Sequence, residues 1–227
     1  MDLERVRQPA DLRDLSYDEL NELAGEIRDC VGSAVSDTGG HHGTNLGAVE
    51  LTMALHRVVD SPTDAILWDN GHPDYIHKIV TGRHRPFEQL RQQGGLSGYP
   101  SREESEHDDV ENSHASTILS YAYGMAVARD LGVDHHRHIV AILGDGSMTG
   151  GMAYEAINNI GHGDKRVIIV LNDNGRSYAP TVSMLSASVQ SRDERANHPS
   201  VTDALTEKLS HALTDIRLNP VYVRRQR

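Results

Sequence analysis

The sequence is poor in several things that would have narrowed its class at once. Its 227 residues hold one cysteine, Cys30, so no disulfide framework can staple it. One tryptophan, Trp68, and one phenylalanine, Phe87, make it aromatic-poor in an otherwise ordinary soluble composition. Lys and Arg number 22 against 33 Asp and Glu, a formal charge of −11. That balance argues against a sequence-independent nucleic-acid binder, which needs cationic side chains to replace phosphate counterions. No apolar run approaches the roughly 18 to 20 residues a membrane span requires. The N-terminal "MDLERVRQPADLRDL" has no apolar signal core. The expectation is a cytoplasmic protein of one domain.

Local patterns then supply elements. In "SYDELNELAGEIRDCVGSAV", Ser16 and Glu19 fit a capping box, and Leu20, Leu23, Ile27 and Val31 share a helical face. "GTNLGAVELTMALHRVVD" reads as another helix, with Leu46, Val49, Met53 and His56 on its stripe. "AILWDNGH" reads as a short buried strand entering a glycine-containing loop, and the small-residue segment "HASTILSYAYGMAVARDLG" as a closely packed helix. "HIVAIL" and "RVIIVL" are strands, "SVQSRDERANHPS" (188–200) a mobile polar loop, and "VTDALTEKLSHALTDI" a last amphipathic helix. Strands alternating with helices, and continuous rather than alternating apolar runs, predict an α/β fold: a mostly parallel sheet with helices on both faces.

The chemistry concentrates in "LGDGSMTGGMAYEAINNIGHGDKRVIIVLNDNGRSY" (143–178). Strand 139–143, a helix over about 147–160 and strand 167–171 form one βαβ unit, whose strands should be parallel neighbours. Asp145 and Asn174 then share the carboxyl edge of the sheet, where open α/β sheets bind ligands. A helix starting just past Asp145 turns free amides near Gly146 and Ser147 towards that edge, ready for phosphate. A carboxylate beside phosphate needs a cation between them. One carboxylate, one amide oxygen and a carbonyl, completed by phosphate oxygens and water, suit octahedral Mg²⁺. The plainer alternative makes Gly-Asp-Gly a strand-to-helix turn with Asp near the N-cap; the matching Asn at the next strand end favours the diphosphate reading. His135, His136 and His138 in "DHHRHIV" lack acid or cysteine partners at metal-ligand spacing, and read as a solvated loop. The acidic "SREESEHDD" is read as solvated too.

These residues resemble the thiamine-diphosphate motif, which opens Gly-Asp-Gly and closes on Asn just under thirty residues later. "TGGHHGTNLGAVELTMALHRV", "GHPDYIHKIVTGR", "GGLSGYPSREESEHD", "SHAST" and "NDNGRSYAP" occur in the order found in the 1-deoxy-D-xylulose-5-phosphate synthase family, most like its actinobacterial forms. The resemblance covers about residues 5–180 and returns weakly in "LSHALTDIRLNPVY". It implies a truncated, transketolase-type diphosphate-binding domain, with thiamine diphosphate and Mg²⁺ as cofactors. Asp145 and Asn174 would be metal ligands, joined by the carbonyl of Arg176. Gly144, Gly146 and Ser147 would hold diphosphate, and Ser113, His114 and Ala115 would lie against the cofactor. His41 and His72 match active-site histidines, His72 also facing the cofactor.

The implied reaction is decarboxylation of a 2-keto acid such as pyruvate and condensation with an aldehyde such as glyceraldehyde 3-phosphate. Its proton transfers near neutral pH suit imidazole. Isoprenoid and thiamine biosynthesis would be the setting. The family's enzymes are far longer, carrying a pyrimidine-binding domain and a third domain. The sequence also departs from the family at His42, where Leu is usual, and at Pro73-Asp74, where Gln-Ala is usual; Asn70 and Ser113 differ as well. Three readings follow: one subunit of a split transferase completed by a second chain with the missing domains, a non-catalytic binding or regulatory derivative, and a fragment inactive on its own. A homo- or hetero-oligomer is expected, because surface meant for absent domains would otherwise be exposed.

Overall fold

The computed structural model describes residues 3–40, 42–71, 74–133, 136–173 and 221–224. The expected polar loop (188–200) and last amphipathic helix (201–216) lie outside them. The chain forms two compact units, residues 1–113 and 114–227. Among the described residues no helix is long and apolar enough to cross a membrane.

The first unit is built on α1 (Tyr17–Thr38). Its start follows from the capping box: the Glu19 amide donates to Ser16 Oγ at 3.3 Å, and the Ser16 amide donates to Glu19 Oε2 at 2.9 Å. Its buried face, Leu20, Leu23, Ala24, Ile27, Val31, Ala34 and Val35, keeps the helical period, and Gly39 ends it at φ 78°. The single helix expected over 43–60 is instead two, α2 (His42–Gly47) and α3 (Val49–Val58), parted at Ala48. β1 (Ala65–Trp68) is buried throughout. α4 (Asp74–Lys78), also fully buried, runs into a wide turn over Ile79–Arg83, where Gly82 has φ 90°. The core is mostly aliphatic, and the one phenylalanine, Phe87, meets Tyr75 edge-on with ring centroids 6.2 Å apart.

The second unit holds α5 (Ile118–Asp130), β2 (Ile139–Gly144), α6 (Gly151–His162), β3 (Ile168–Asp173) and β4 (Val221–Arg224). β2, β3 and β4 lie side by side and parallel, with Val140 opposite Ile168 and Gly144 opposite Asn172. α5 packs on β2 and on α6. Its buried Ala122 and Ala126 allow the close approach that small residues give. Buried Arg129 ties the opposite edge together, donating to the carbonyls of Arg166 (2.9 Å) and Arg137 (3.4 Å), which precede β3 and β2. The expected α/β class with a parallel sheet is what forms. β3 is less buried than its apolar run implied, with Ile168 41 % exposed.

Candidate diphosphate site and a buried charge cluster

The carboxyl edge of the second unit carries the Gly-Asp-Gly turn. β2 ends at Gly144, opposite Asn172, and buried Asp145 follows directly. β3 runs one residue further, to buried Asp173, the residue before Asn174. The expected helix start is displaced. Residues Ser147–Thr149 form a 3₁₀ turn, and α6 begins only at Gly151. The turn uses the amides of Met148, Thr149 and Gly150, which donate to the carbonyls of Asp145, Gly146 and Ser147. The amides of Gly146 and Ser147 have no hydrogen-bond partner among the described residues. Two adjacent undonated amides beside a buried carboxylate fit an anion bridged by a cation, the donor set a diphosphate with Mg²⁺ requires.

A second segment braces this turn. Ser116, at φ 72°, donates its hydroxyl to the carbonyl of Ser147. A Cβ at Gly150 would overlap Ser116 Oγ and come within 2.6 Å of Ser116 Cβ, so glycine is required for the two segments to meet. Ser116 and Gly150 are positioning residues that sequence reasoning missed. The sequence signal near them was the resemblance of "SHAST" to a segment lying against the cofactor. Its members sit around Ser116: exposed His114 contacts the Ala115 carbonyl through Nδ1 at 2.6 Å, and Thr117 Oγ1 donates to the His114 carbonyl at 2.7 Å. Ala115 is half-buried, and Ser113, the last residue of the first unit, is exposed. His41, His72, Asn174 and Arg176 lie outside the described residues. His136 and His138 are exposed, as a solvated loop requires.

The first unit contains chemistry that composition concealed. The acidic run 101–109, read as solvated, sends Glu104 and Asp108 inward. Lys78, fully buried, ion-pairs with Glu104, whose other oxygen accepts from the Ser97 amide at 2.6 Å. Arg83 grips both oxygens of Asp108, at 2.6 and 2.9 Å, and the Ser101 amide adds a third contact at 2.9 Å. His77 Nε2 meets Asp108 Oδ1 at 3.0 Å, and its Nδ1 meets His56 Nε2 at 2.8 Å. Burial pushes the Asp108 carboxyl up, but hydrogen bonds from His77 and Arg83 overcome that and hold it well below the usual range. Burial, then His77, keep His56 neutral by depressing its pKa well below the ordinary value.

Asp74 is the exception in this cluster. Its side chain is fully buried, and neither carboxylate oxygen has a hydrogen-bond partner. Lys78 Nζ stands 3.5 Å from Oδ2, too far for a strong hydrogen bond and already committed to Glu104. Burial therefore pushes the Asp74 pKa up from 3.8 to about 6, against the pull of Lys78 and with the push of Asp108.

Comparison with known proteins agrees with the motif reading. The sequence profile described as 1-deoxy-D-xylulose-5-phosphate synthase matches residues 3–223. The 1-deoxy-D-xylulose-5-phosphate synthase of Mycobacterium avium is 61 % identical over 180 residues, covering 79 % of this chain and 28 % of the relative. That of Parafrankia sp. is 54 % identical over 207 residues, covering 91 % and 32 %. The chain thus spans about three-tenths of the length of these curated relatives. Among solved structures, a transketolase from Campylobacter jejuni superposes with a TM-score of 0.62 at 18 % identity, over 89 % of this chain and 36 % of that one. At that identity the likeness concerns the fold alone, an α/β architecture of transketolase type. On the profile match over nearly its whole length and these identities, the chain belongs to the 1-deoxy-D-xylulose-5-phosphate synthase family.

Proposed function

We propose that this chain is the diphosphate- and Mg²⁺-binding part of a thiamine-diphosphate-dependent transferase, which joins a 2-keto acid such as pyruvate, with loss of CO₂, to an aldehyde such as glyceraldehyde 3-phosphate. The observation that carries the reading is the carboxyl edge of β2. There a buried Asp145 stands beside two undonated amides, in a turn braced by Ser116. Asp145, with Asn174 and the Arg176 carbonyl, would hold the cation, and the Gly146 and Ser147 amides the diphosphate. Bound there, thiamine diphosphate would supply the carbanion chemistry that no amino-acid side chain provides. His41 and His72 would move protons near neutral pH, and His114 would line the cofactor.

The aminopyrimidine end of the cofactor needs a pocket that these residues do not form in the family's scheme. We propose that this pocket belongs to pyrimidine-binding and C-terminal domains carried by a second polypeptide, in a hetero- or homo-oligomer. Calorimetric titration of the purified chain with thiamine diphosphate, with and without Mg²⁺ and with and without a candidate partner chain, tests the site. Saturable, Mg²⁺-dependent binding should vanish in Asp145→Ala while the circular dichroism spectrum stays unchanged. Wild-type cofactor affinity in Asp145→Ala would overturn the assignment.

A further inference from the structure

The buried cluster of the first unit holds more acid than it neutralises. Asp74, Glu104 and Asp108 face Lys78 and Arg83, three carboxylates against two cations, with His56 and His77 between them. A buried carboxylate with no hydrogen bond is costly, and Lys78, 3.5 Å away and shared with Glu104, offsets only part of that cost, so the cluster gains from a proton or a further positive charge. Among the described residues, one group of potential ligands brings three ligand atoms within 4.8 Å of one another, and it is Asp74, His77 and Asp108, all buried.

We propose that Asp74, His77 and Asp108 form a site for a divalent first-row transition-metal ion of the Zn²⁺ class, distinct from the diphosphate site. The separation of His77 Nε2 and Asp108 Oδ1 is 3.0 Å. Two ligands each about 2.1 Å from a metal and at right angles to one another lie about 3.0 Å apart, so these two atoms stand at a separation that one ion can bridge. Every other acceptor position on Asp108 is used, by Arg83 and the Ser101 amide, and those bonds fix the orientation of the carboxylate for the metal. Asp74 closes the site with a carboxylate whose two oxygens have no other hydrogen bond. A nitrogen ligand beside two carboxylates selects a borderline cation over Mg²⁺ or Ca²⁺.

The proton count closes. Ionised Asp108 can only accept, so His77 Nε2 carries a proton and His56 Nε2 donates to His77 Nδ1. When the metal takes His77 Nε2, that imidazole carries its proton on Nδ1 and donates to His56 Nε2, and the displaced proton of His56 moves to its Nδ1. The pair keeps both protons, and only a proton on Asp74, where one is present, leaves to solvent. A surface cavity of about 610 Å³ lined by Ser97, Ser101 and Glu104 adjoins the cluster through Glu104, the ion-pair partner of Lys78. Lys78 and Arg83 oppose the ion electrostatically. The surplus carboxylate of Asp74 offsets them, and this makes it the decisive residue.

The sole tryptophan gives the test. Trp68 packs beside His77, with ring centroids 5.8 Å apart, and Co²⁺ bound at this site would quench its fluorescence at short range. The full chain is titrated with CoCl₂ as Asp145→Ala, which takes the diphosphate site out of play, and again with Asp74→Asn added. Saturating quenching that requires at least about tenfold more Co²⁺ once Asp74 is replaced is the expected result. Asp74→Asn relieves a buried charge rather than creating one, so the variant folds. No saturable quenching at millimolar Co²⁺, or the same midpoint with and without the Asp74 carboxylate, would overturn the proposal.

Discussion

Replacing Asp74 by Asn should make the protein more stable, and by an amount that depends on pH. The folded-state pKa of Asp74 is raised from 3.8 to about 6 because the carboxyl is sealed from water with no hydrogen bond to either oxygen. An acid whose folded pKa is raised loses stability as pH climbs through the range in which the unfolded chain has lost its proton and the folded one has not, and the loss stays constant above that range. The penalty is therefore absent below pH 3.8, grows between 3.8 and about 6, and is complete above. That rise corresponds to about 3 kcal/mol at neutral pH. In a chain of this size that is roughly 6 to 12 °C in Tm. Metal-free wild type and Asp74→Asn are compared by urea denaturation from pH 4 to 8, in the presence of a chelator. The two curves should converge near pH 4 and separate to about 3 kcal/mol above pH 7. A difference that is constant across pH, or an Asn variant less stable than wild type at pH 8, refutes the account of Asp74 as an uncompensated charge.

Two other substitutions probe how the elements are held. Gly150→Ala forces a methyl group onto Ser116 and should cost about 1 to 3 kcal/mol in thermal denaturation; adding Ser116→Gly, which removes the obstructing atoms and suits φ 72°, should recover most of it. An unaffected single variant refutes the close approach of the two segments. Ser16→Ala removes the hydroxyl that caps α1 and should cost about 1 kcal/mol by urea denaturation, with no change meaning that the cap carries none of the helix's stability.

What the sequence made legible was what neighbouring residues decide. α1 could be read because Ser16, Glu19 and the apolar stripe all act within a few turns of chain. β2 and β3 could be read because each is a short run of branched aliphatic residues, and their parallel pairing follows from the helix between them. The break at Ala48 was not legible, since only Gly47 marks it in an otherwise continuous stripe. Nor was the late start of α5 at Ile118: a serine at φ 72° carries no local signal, and Ser116 holds that conformation through its bond to Ser147, 31 residues away. The acidic run misled for a related reason. Periodicity and composition treat Glu104 and Asp108 as surface charges, whereas Lys78 and Arg83, some 25 residues earlier, pair with them inside the fold. Asp145 was placed by its strand, but the 3₁₀ turn that shapes its surroundings was not.

Asp74 shows how one departure from a family pattern acquires physical meaning only once its neighbours are known. In sequence it is one of two residues, Pro73-Asp74, read as departing from the pattern that the resemblance led one to expect. In the fold it brings a third carboxylate into a cluster whose two cations already have partners in Glu104 and Asp108. Such a group can settle its charge by taking a proton or by sharing a cation, and the two routes are linked. A proton and a metal ion would compete for the same carboxylate, because a bound ion needs Asp74 ionised. A protein in which the substitution stabilises but Co²⁺ does not bind would have Asp74 as a buried proton site alone.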